Sequence, residues 1–338
     1  MRLRRSSVGG PGFRRVRRGR GFSYIDGQRE PVDDPEVLAR IEALVIPPAW
    51  KNVWICPHPS GHIQAVGTDA AGRRQYLYHE KWQTERAEEK YDRTLTLAKC
   101  LPDWRARIIA DLRGRGLGRD RVLAVAQHLI DRGYFRAGGE EYAQENGSFG
   151  LATLLRDHVQ VHRDSVAFDY PAKNGVRQAI SLDDPLIIRA VRSLLRAETR
   201  IPRLLVYRTS DGWHEVRADD LNSRFRELVG DEFSVKDLRT WHGTVLAAEA
   251  FATASEPTSK TARRREEAAV MRAVAEELGN TPAVARGSYV DPRVVTAYEQ
   301  GITIAPALRR VKRERTALGR QHLLERATAR IIKRVDRG

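Results

Sequence analysis

The 338 residues suffice for two domains, and a hydrophobic content of 41% supplies an ordinary globular core. Lys and Arg number 59 against 44 Asp and Glu, a formal charge of +15. With acidic residues so plentiful, this is a folded protein with a basic surface, and duplex DNA, with about one negative charge per 1.7 Å of axis, is the leading partner. No apolar run approaches the roughly 18–20 residues that span a bilayer, and residues 1–20 lack a signal-peptide core. No membrane association is expected, and the expected location is the cytoplasm, on the nucleoid.

In chain order, residues 1–20 read as a mobile basic arm. Residues 21–90 read as a small β-rich domain: 22–25, 53–56, 62–66 and 75–78 are short, rich in β-branched and aromatic residues, and bounded by Gly, Pro or Asp. One helix interrupts them at 35–45, with Asp34 as N-cap and Pro47-Pro48 as its stop. A hinge is expected near 88–94. From residue 91 to 338 helices dominate, with apolar residues at i, i+3, i+4 over 105–112, 121–131, 185–196 and 219–229. A β interlude at 158–162, 166–170 and 176–182 turns at Asn174-Gly175, a hairpin signal that leaves Lys173 at an exposed tip. Further helices are expected up to Leu278 and beyond Ala305. The fold class is therefore α+β, a small sheet domain followed by a larger, mainly helical one.

Two cysteines, Cys56 and Cys100, are too few for a zinc knuckle, and no metal-ligand spacing appears among nine histidines. The dipeptide Gly-Lys is absent, which excludes a Walker A loop. Chemistry on DNA is thus expected to run without ATP, metal or cofactor.

Four segments carry residues suited to phosphoryl transfer. The first is Arg136-Ala-Gly-Gly-Glu-Glu-Tyr142 followed by Glu145-Asn-Gly-Ser-Phe-Gly-Leu-Ala-Thr153; the second is the Lys173 hairpin. The third is Ser234-Val-Lys-Asp-Leu-Arg-Thr-Trp-His-Gly243, and the fourth is Leu278-Gly-Asn-Thr-Pro-Ala-Val-Ala-Arg-Gly-Ser-Tyr289. Together, from about Gly21 to Tyr298, they resemble the type IB DNA topoisomerases, specifically the compact branch with the poxvirus and bacterial enzymes. The resemblance implies a monomer that relaxes positive and negative supercoils by nicking one strand through a 3′-phosphotyrosyl link and resealing it.

Carried over by motif, Tyr289 is the nucleophile, Arg136 and Arg239 the paired arginines, and Lys173 the general acid. Asn280 stands where the poxvirus enzymes have His; it can donate a neutral hydrogen bond to phosphate but carries no charge. The residue types suit the chemistry independently. Arg offers a permanent charge and a planar fork of donors to an attacked phosphodiester, and a Lys can protonate the leaving alkoxide. Lys236 takes an auxiliary place beside the phosphate. Ser234, with Asp237 three residues on, starts a helix whose first amides favour an anion. In the sheet domain, Arg73-Arg-Gln-Tyr-Leu-Tyr78 resembles the family's DNA-contacting strand; alternation puts Gln75 on one face and Tyr76 with Tyr78 on the other. Tyr142 is a further DNA contact by the same resemblance.

Singly, each of these residues has a bland reading. Arg and Lys are mostly solvated, Tyr289 suits a helix packing on Val294, and Gly-Asn suits a helix C-cap. Their order and joint chemistry favour the enzyme. A tyrosine recombinase shares the nucleophile and arginines, but would carry His where Lys236 stands and helices where this chain has strands. A non-catalytic DNA-binding protein explains the charge alone.

Overall fold

The computed structural model describes residues 2–140, 147–254 and 259–336, so Tyr142 lies outside the described residues. The chain divides into two compact units, Met1–Lys90 and Tyr91–Gly338. The fold is α+β, and among the described residues no helix is long and apolar enough to cross a membrane.

The first unit is an antiparallel five-stranded sheet in the order β2-β1-β3-β4-β5, made of β1 (Phe13–Arg18), β2 (Gly21–Ile25), β3 (Lys51–Ile55), β4 (Ile63–Thr68) and β5 (Arg74–Tyr78). Helix α1 (Pro35–Ala43) is capped by Asp34, whose carboxylate accepts the N–H of Glu36 at 2.9 Å. Strand β3 shows why both faces of the sheet are covered. Its alternation sends Val53 and Ile55 into one cluster with Ile41 of α1, and Trp54 into another with Cys56 and Val66.

That second cluster corrects the expectation of a mobile arm over residues 1–20. An apolar face carrying Trp54 and Val66 needs a cover, and the N-terminal segment packs Val8 against it. The Arg4 N–H donates to Ser60 O at 2.9 Å, and the Ser6 N–H to His62 Nδ1 at 2.8 Å. A Cβ on Gly12 would come within 2.2 Å of Trp54 Nε1, so only glycine permits this approach. Strand β1 is an interior strand, paired with both β2 and β3, and the Arg15 side chain is engaged within the sheet unit. Its guanidinium donates to the carbonyls of Ile46, Pro47 and Trp50 at 3.1, 3.0 and 2.7 Å. A basic run read as a solvated arm is a strand plus a tether.

Residues 88–94, expected as a hinge, are helical, within the 33-residue α2 (Glu80–Leu112). The second unit begins inside that helix. It continues through α3 (Arg119–Gly133), the antiparallel sheet β6 (Val159–Val161), β7 (Val166–Pro171) and β8 (Arg177–Leu182), and α4 (Pro185–Leu195). The hairpin of β9 (Val206–Thr209) and β10 (Gly212–Glu215) follows. Then come α5 (Ala218–Val229), α6 (Val235–Thr253), α7 (Lys260–Glu277), α8 (Pro292–Glu299), α9 (Ala305–Val311) and α10 (Ala317–Val335). Helices α3 and α6 are buried along most of their length and form the middle of the core.

One polar cluster is sunk in that core. The Arg105 guanidinium makes paired bonds to Asp131, at 2.8 and 2.9 Å, and to Glu325, both at 2.8 Å; the three side chains are 3–5% exposed. His242 Nε2 lies 3.1 Å from Asp131 Oδ1. Burial alone would raise the Asp131 carboxyl, but Arg105, helped by His242, overrides this and holds it well below the usual carboxylate range. Asp131→Asn leaves part of a buried charge uncompensated, and we expect a loss of about 3 kcal/mol in denaturant unfolding at neutral pH. Because the folded carboxyl titrates below the unfolded one, its contribution is present above about pH 4 and lost as pH falls further. The parent's stability should therefore fall more steeply below pH 4 than that of Asp131→Asn.

Candidate active site

The site is assembled where α3, α6 and the turn after α7 meet. Helix α3 ends on Tyr134 in the left-handed region, φ 53°. That sharp exit is fixed by Phe135, which is 1% exposed and stacks on Tyr170 with ring centroids 5.9 Å apart. Arg136 follows immediately. Its backbone carbonyl accepts the Leu151 N–H at 2.8 Å, while its side-chain Nη2 donates to Gly279 O at 2.8 Å. Gly138, at φ 83°, would with a Cβ come within 2.8 Å of Gly150, so this close return of the chain also requires glycine.

Helix α7 ends in a Schellman motif. The Gly279 N–H, at φ 57°, donates to Glu276 O at 3.0 Å, and the Asn280 N–H to Ala275 O at 2.8 Å. The structural reading of Gly-Asn as a cap is therefore correct for the backbone. It does not account for the Asn280 side chain, whose Oδ1 and Nδ2 are both buried with no hydrogen-bond partner among the described residues. An amide desolvated at both ends is costly and suits a site that waits for a polar ligand.

Helix α6 carries Arg239, 5% exposed, one turn from its start. Its Nη1 donates to Tyr134 O and its Nη2 to Leu278 O, which ties the end of α3 to the end of α7 through one guanidinium. Burial, and after it the like charge of Arg136, lowers its pKa. A buried arginine beside a second arginine concentrates positive charge, and its planar fork suits a carboxylate or a phosphate. Tyr170 stands against the same pair, its phenol pushed up to about 12 by burial against the opposing pull of Arg136 and Arg239.

Tyr289 ends a π-helical turn, Ala285–Tyr289, whose wide ladder is closed by the Val290 N–H on Ala285 O at 3.0 Å. Its half-buried ring lies with its centroid 5.3 Å from the Arg239 guanidinium carbon. The Thr244 hydroxyl of α6 is shared between Thr240 O at 3.0 Å and Tyr289 O at 3.2 Å and accepts the Asp291 N–H at 3.1 Å, holding the turn against α6. Gly243 makes the approach possible: a Cβ there would lie 2.9 Å from both Tyr289 Cβ and Tyr289 O. Glycine inside a helix costs about 1 kcal/mol relative to alanine. Gly243→Ala is thus expected to leave the helix sound yet displace Tyr289, lowering single-turnover DNA cleavage by about 100-fold with duplex binding little changed. A cleavage rate near that of the parent would refute this role of Gly243.

Arg136, Arg239, Asn280 and Tyr289 are thus brought together within one unit. Lys173 is exposed in the turn Lys173–Gly175 between β7 and β8, three residues beyond Tyr170; Gln178 of β8 faces Gly279. Lys236 is exposed in the first turn of α6, apart from the buried Arg239. The Asp237 carboxylate accepts the Ser234 N–H at 3.0 Å and is pinned by Arg93 at 2.8 Å.

In the first unit, Tyr76 and Tyr78 are each 39% exposed on the edge strand β5, with ring centroids 6.0 Å apart and the Arg74 guanidinium 5.6 Å from the Tyr76 ring. Gln75 faces the other way with Leu77, and its amide donates to Asp69 at 2.9 Å. Sequence reasoning gave no role to Tyr170, Gly243 or Thr244. The first two lie inside the quoted segments, and only their distance to the arginines and to Tyr289 reveals them.

The comparisons agree with this architecture. Residues 79–315 match the family described as Eukaryotic DNA topoisomerase I, catalytic core, and residues 21–69 match Bacterial DNA topoisomerase IB, N-terminal domain. The chain belongs to the type IB DNA topoisomerase family. It is 29% identical over 288 residues to DNA topoisomerase 1B of Acanthamoeba polyphaga mimivirus, covering 82% of this chain and 84% of the relative. Against DNA topoisomerase 1B of Vaccinia virus (strain Copenhagen) it is 23% identical over 230 residues, 67% of this chain and 69% of the relative. Against DNA topoisomerase 1 beta of Arabidopsis thaliana the match is 24% over 160 residues and spans only 16% of the plant protein. DNA is accordingly its substrate.

Proposed function

We propose that the chain relaxes supercoiled duplex DNA of either sign by transient single-strand cleavage, strand rotation and resealing, with no ATP, metal or other cofactor. The observation that carries this reading is Arg239 beside the Tyr289 ring, with Arg136 bonded to the turn after α7 and the Asn280 amide of that turn without a partner among the described residues. The scissile phosphate sits over Arg136 and Arg239. Tyr289 gives up its phenolic proton to solvent, its oxygen attacks phosphorus, the 5′ oxygen leaves, and a 3′-phosphotyrosyl ester conserves the bond. The two guanidiniums and the Asn280 amide take up charge on the non-bridging oxygens, where one well-placed donor is worth roughly 3–4 kcal/mol of barrier. Lys173, exposed at the hairpin tip, delivers the proton to the leaving 5′ oxygen and recovers it on resealing. Lys236 supports the phosphate from the start of α6. Tyr76 and Tyr78, with Arg74, contact the duplex from β5, and Tyr142 is a further contact by the family resemblance. Gln75 joins them only by exchanging Asp69 for a base edge. One chain supplies every group, so the active form is a monomer.

The test is plasmid relaxation in excess EDTA without nucleotide, on positively and negatively supercoiled substrates. Relaxation of both, with protein trapped on 3′ ends after denaturant quench, is the expected result. Dependence on a divalent metal or nucleotide, or attachment to 5′ ends, would overturn it.

A further inference from the structure

A second surface lies at the C-terminal end of the second unit, where α9 and α10 pack together. Helix α10, Ala317–Val335, begins beyond residue 315, where the match to the family's catalytic core ends. Between the two helices runs a groove of about 740 Å³. Its floor is apolar: Leu323, Ala327 and Ile331 recur every four residues along one face of α10, opposite Ile304 and Ala307. Its rims are arginines: Arg309, Arg310 and Arg313 on one side, Arg330 and Arg334 on the other, all exposed. No carboxylate lines the groove or pairs with these five arginines among the described residues.

The acids nearby are engaged elsewhere. Glu325, on the opposite face of α10, is held by Arg105; Glu314 accepts the N–H and hydroxyl of Thr316 at 3.0 and 2.8 Å; Asp336 pairs with Arg293 at 3.0 Å. The Glu325–Arg105 pair also fixes α10 against the core, so the groove is preformed. From Leu323 to Arg334 it runs for about 16 Å at 1.5 Å per residue.

We infer that this groove binds a short acidic segment of another protein, one that alternates carboxylates with large apolar side chains. The rims supply planar cationic forks for carboxylates, and the floor takes apolar side chains that a phosphate backbone does not carry. Packed helix axes lie about 8–10 Å apart, too close for a duplex to enter, so a nucleic acid would ride the rims and leave the half-buried Leu323 and Ala307 uncovered. A recessed apolar floor beneath a ring of arginines is the complement of an acidic, apolar peptide.

The probe is a fluorescent ten-residue peptide alternating Asp or Glu with Leu and Phe, titrated by anisotropy with the full chain in saturating unlabelled duplex DNA. A companion peptide of equal charge replaces Leu and Phe with Ser. We expect the first to bind about tenfold or more tightly than the second. Arg330→Glu/Arg334→Glu should weaken it by a similar factor, and Leu323→Glu should do so without changing duplex affinity. Melting temperatures of both variants establish that they are folded. Equal binding of the two peptides, no effect of Leu323→Glu, or duplex competing the peptide away would each overturn the inference, the last making this a nucleic-acid surface.

Discussion

Tyr289→Phe is expected to bind duplex DNA within a few-fold of the parent and to relax none of it, with the rate down by at least about 10⁴-fold. The substitution removes one oxygen and little else. The ring beside Arg239 stays, as do the Thr244 clamp on the backbone of residue 289 and the close approach of Gly243. Folding and DNA affinity therefore survive, and the loss reports chemistry. Among the described residues, no neighbouring tyrosine substitutes. Tyr170 is 4% exposed with its phenol pushed up to about 12, and Tyr134 is pushed up to about 12 by burial first and Asp131 second. Neither offers an accessible phenolate to a phosphodiester at neutral pH. Residual relaxation above a hundredth of the parent rate, or a covalent adduct mapped to another tyrosine, would remove Tyr289 from the nucleophile's place.

Much of this site was legible before the fold because its residue types are dictated by chemistry and its spacings by local structure. Arg239 lies one helical turn into α6 behind the Ser234 cap, and Gly279-Asn280 is a helix cap readable from two residues. The α+β class followed from short alternating strands giving way to longer periodic segments. What escaped was set by long-range packing. Strand β1 reads Phe-Arg-Arg-Val-Arg-Arg, and composition makes it a basic arm. Only the apolar face of β3 and the carbonyls at 46, 47 and 50 explain why Arg15 is drawn into the sheet. The first half of α2, rich in Glu, Lys and Arg, has no apolar stripe to announce it, so its helicity was missed and a hinge expected. The Asp131–Arg105–Glu325 cluster joins residues up to 220 positions apart, a separation that no local pattern encodes.

Arg239→Lys tests whether the guanidinium acts as a charge or as a shape. Lysine keeps the charge, and a model in which the phosphate needs only a nearby cation predicts a mild effect. The geometry predicts otherwise. Arg239 reaches Tyr134 O with one nitrogen and Leu278 O with another, so a single rigid fork spaces the end of α3 from the cap of α7. Arg136 hangs from the first of these elements and Asn280 from the second. An ammonium is one point on a flexible stem and cannot hold both carbonyls while also meeting a phosphate oxygen. Its pKa also shifts readily when buried, and here burial and Arg136 both favour the neutral amine. The expected loss in single-turnover cleavage is about 10²–10³-fold, the size associated with one preorganised donor. Duplex affinity should change little, since a chain of charge +15 offers many other cations to the phosphate backbone. The effect should also overlap with that of Arg136→Ala, because the two guanidiniums serve one phosphate and one frame. In the double variant the losses should fall well short of their product. Independent, multiplying losses would mean that the two arginines act at separate places on the DNA, and that the fork across Tyr134 and Leu278 is structural only.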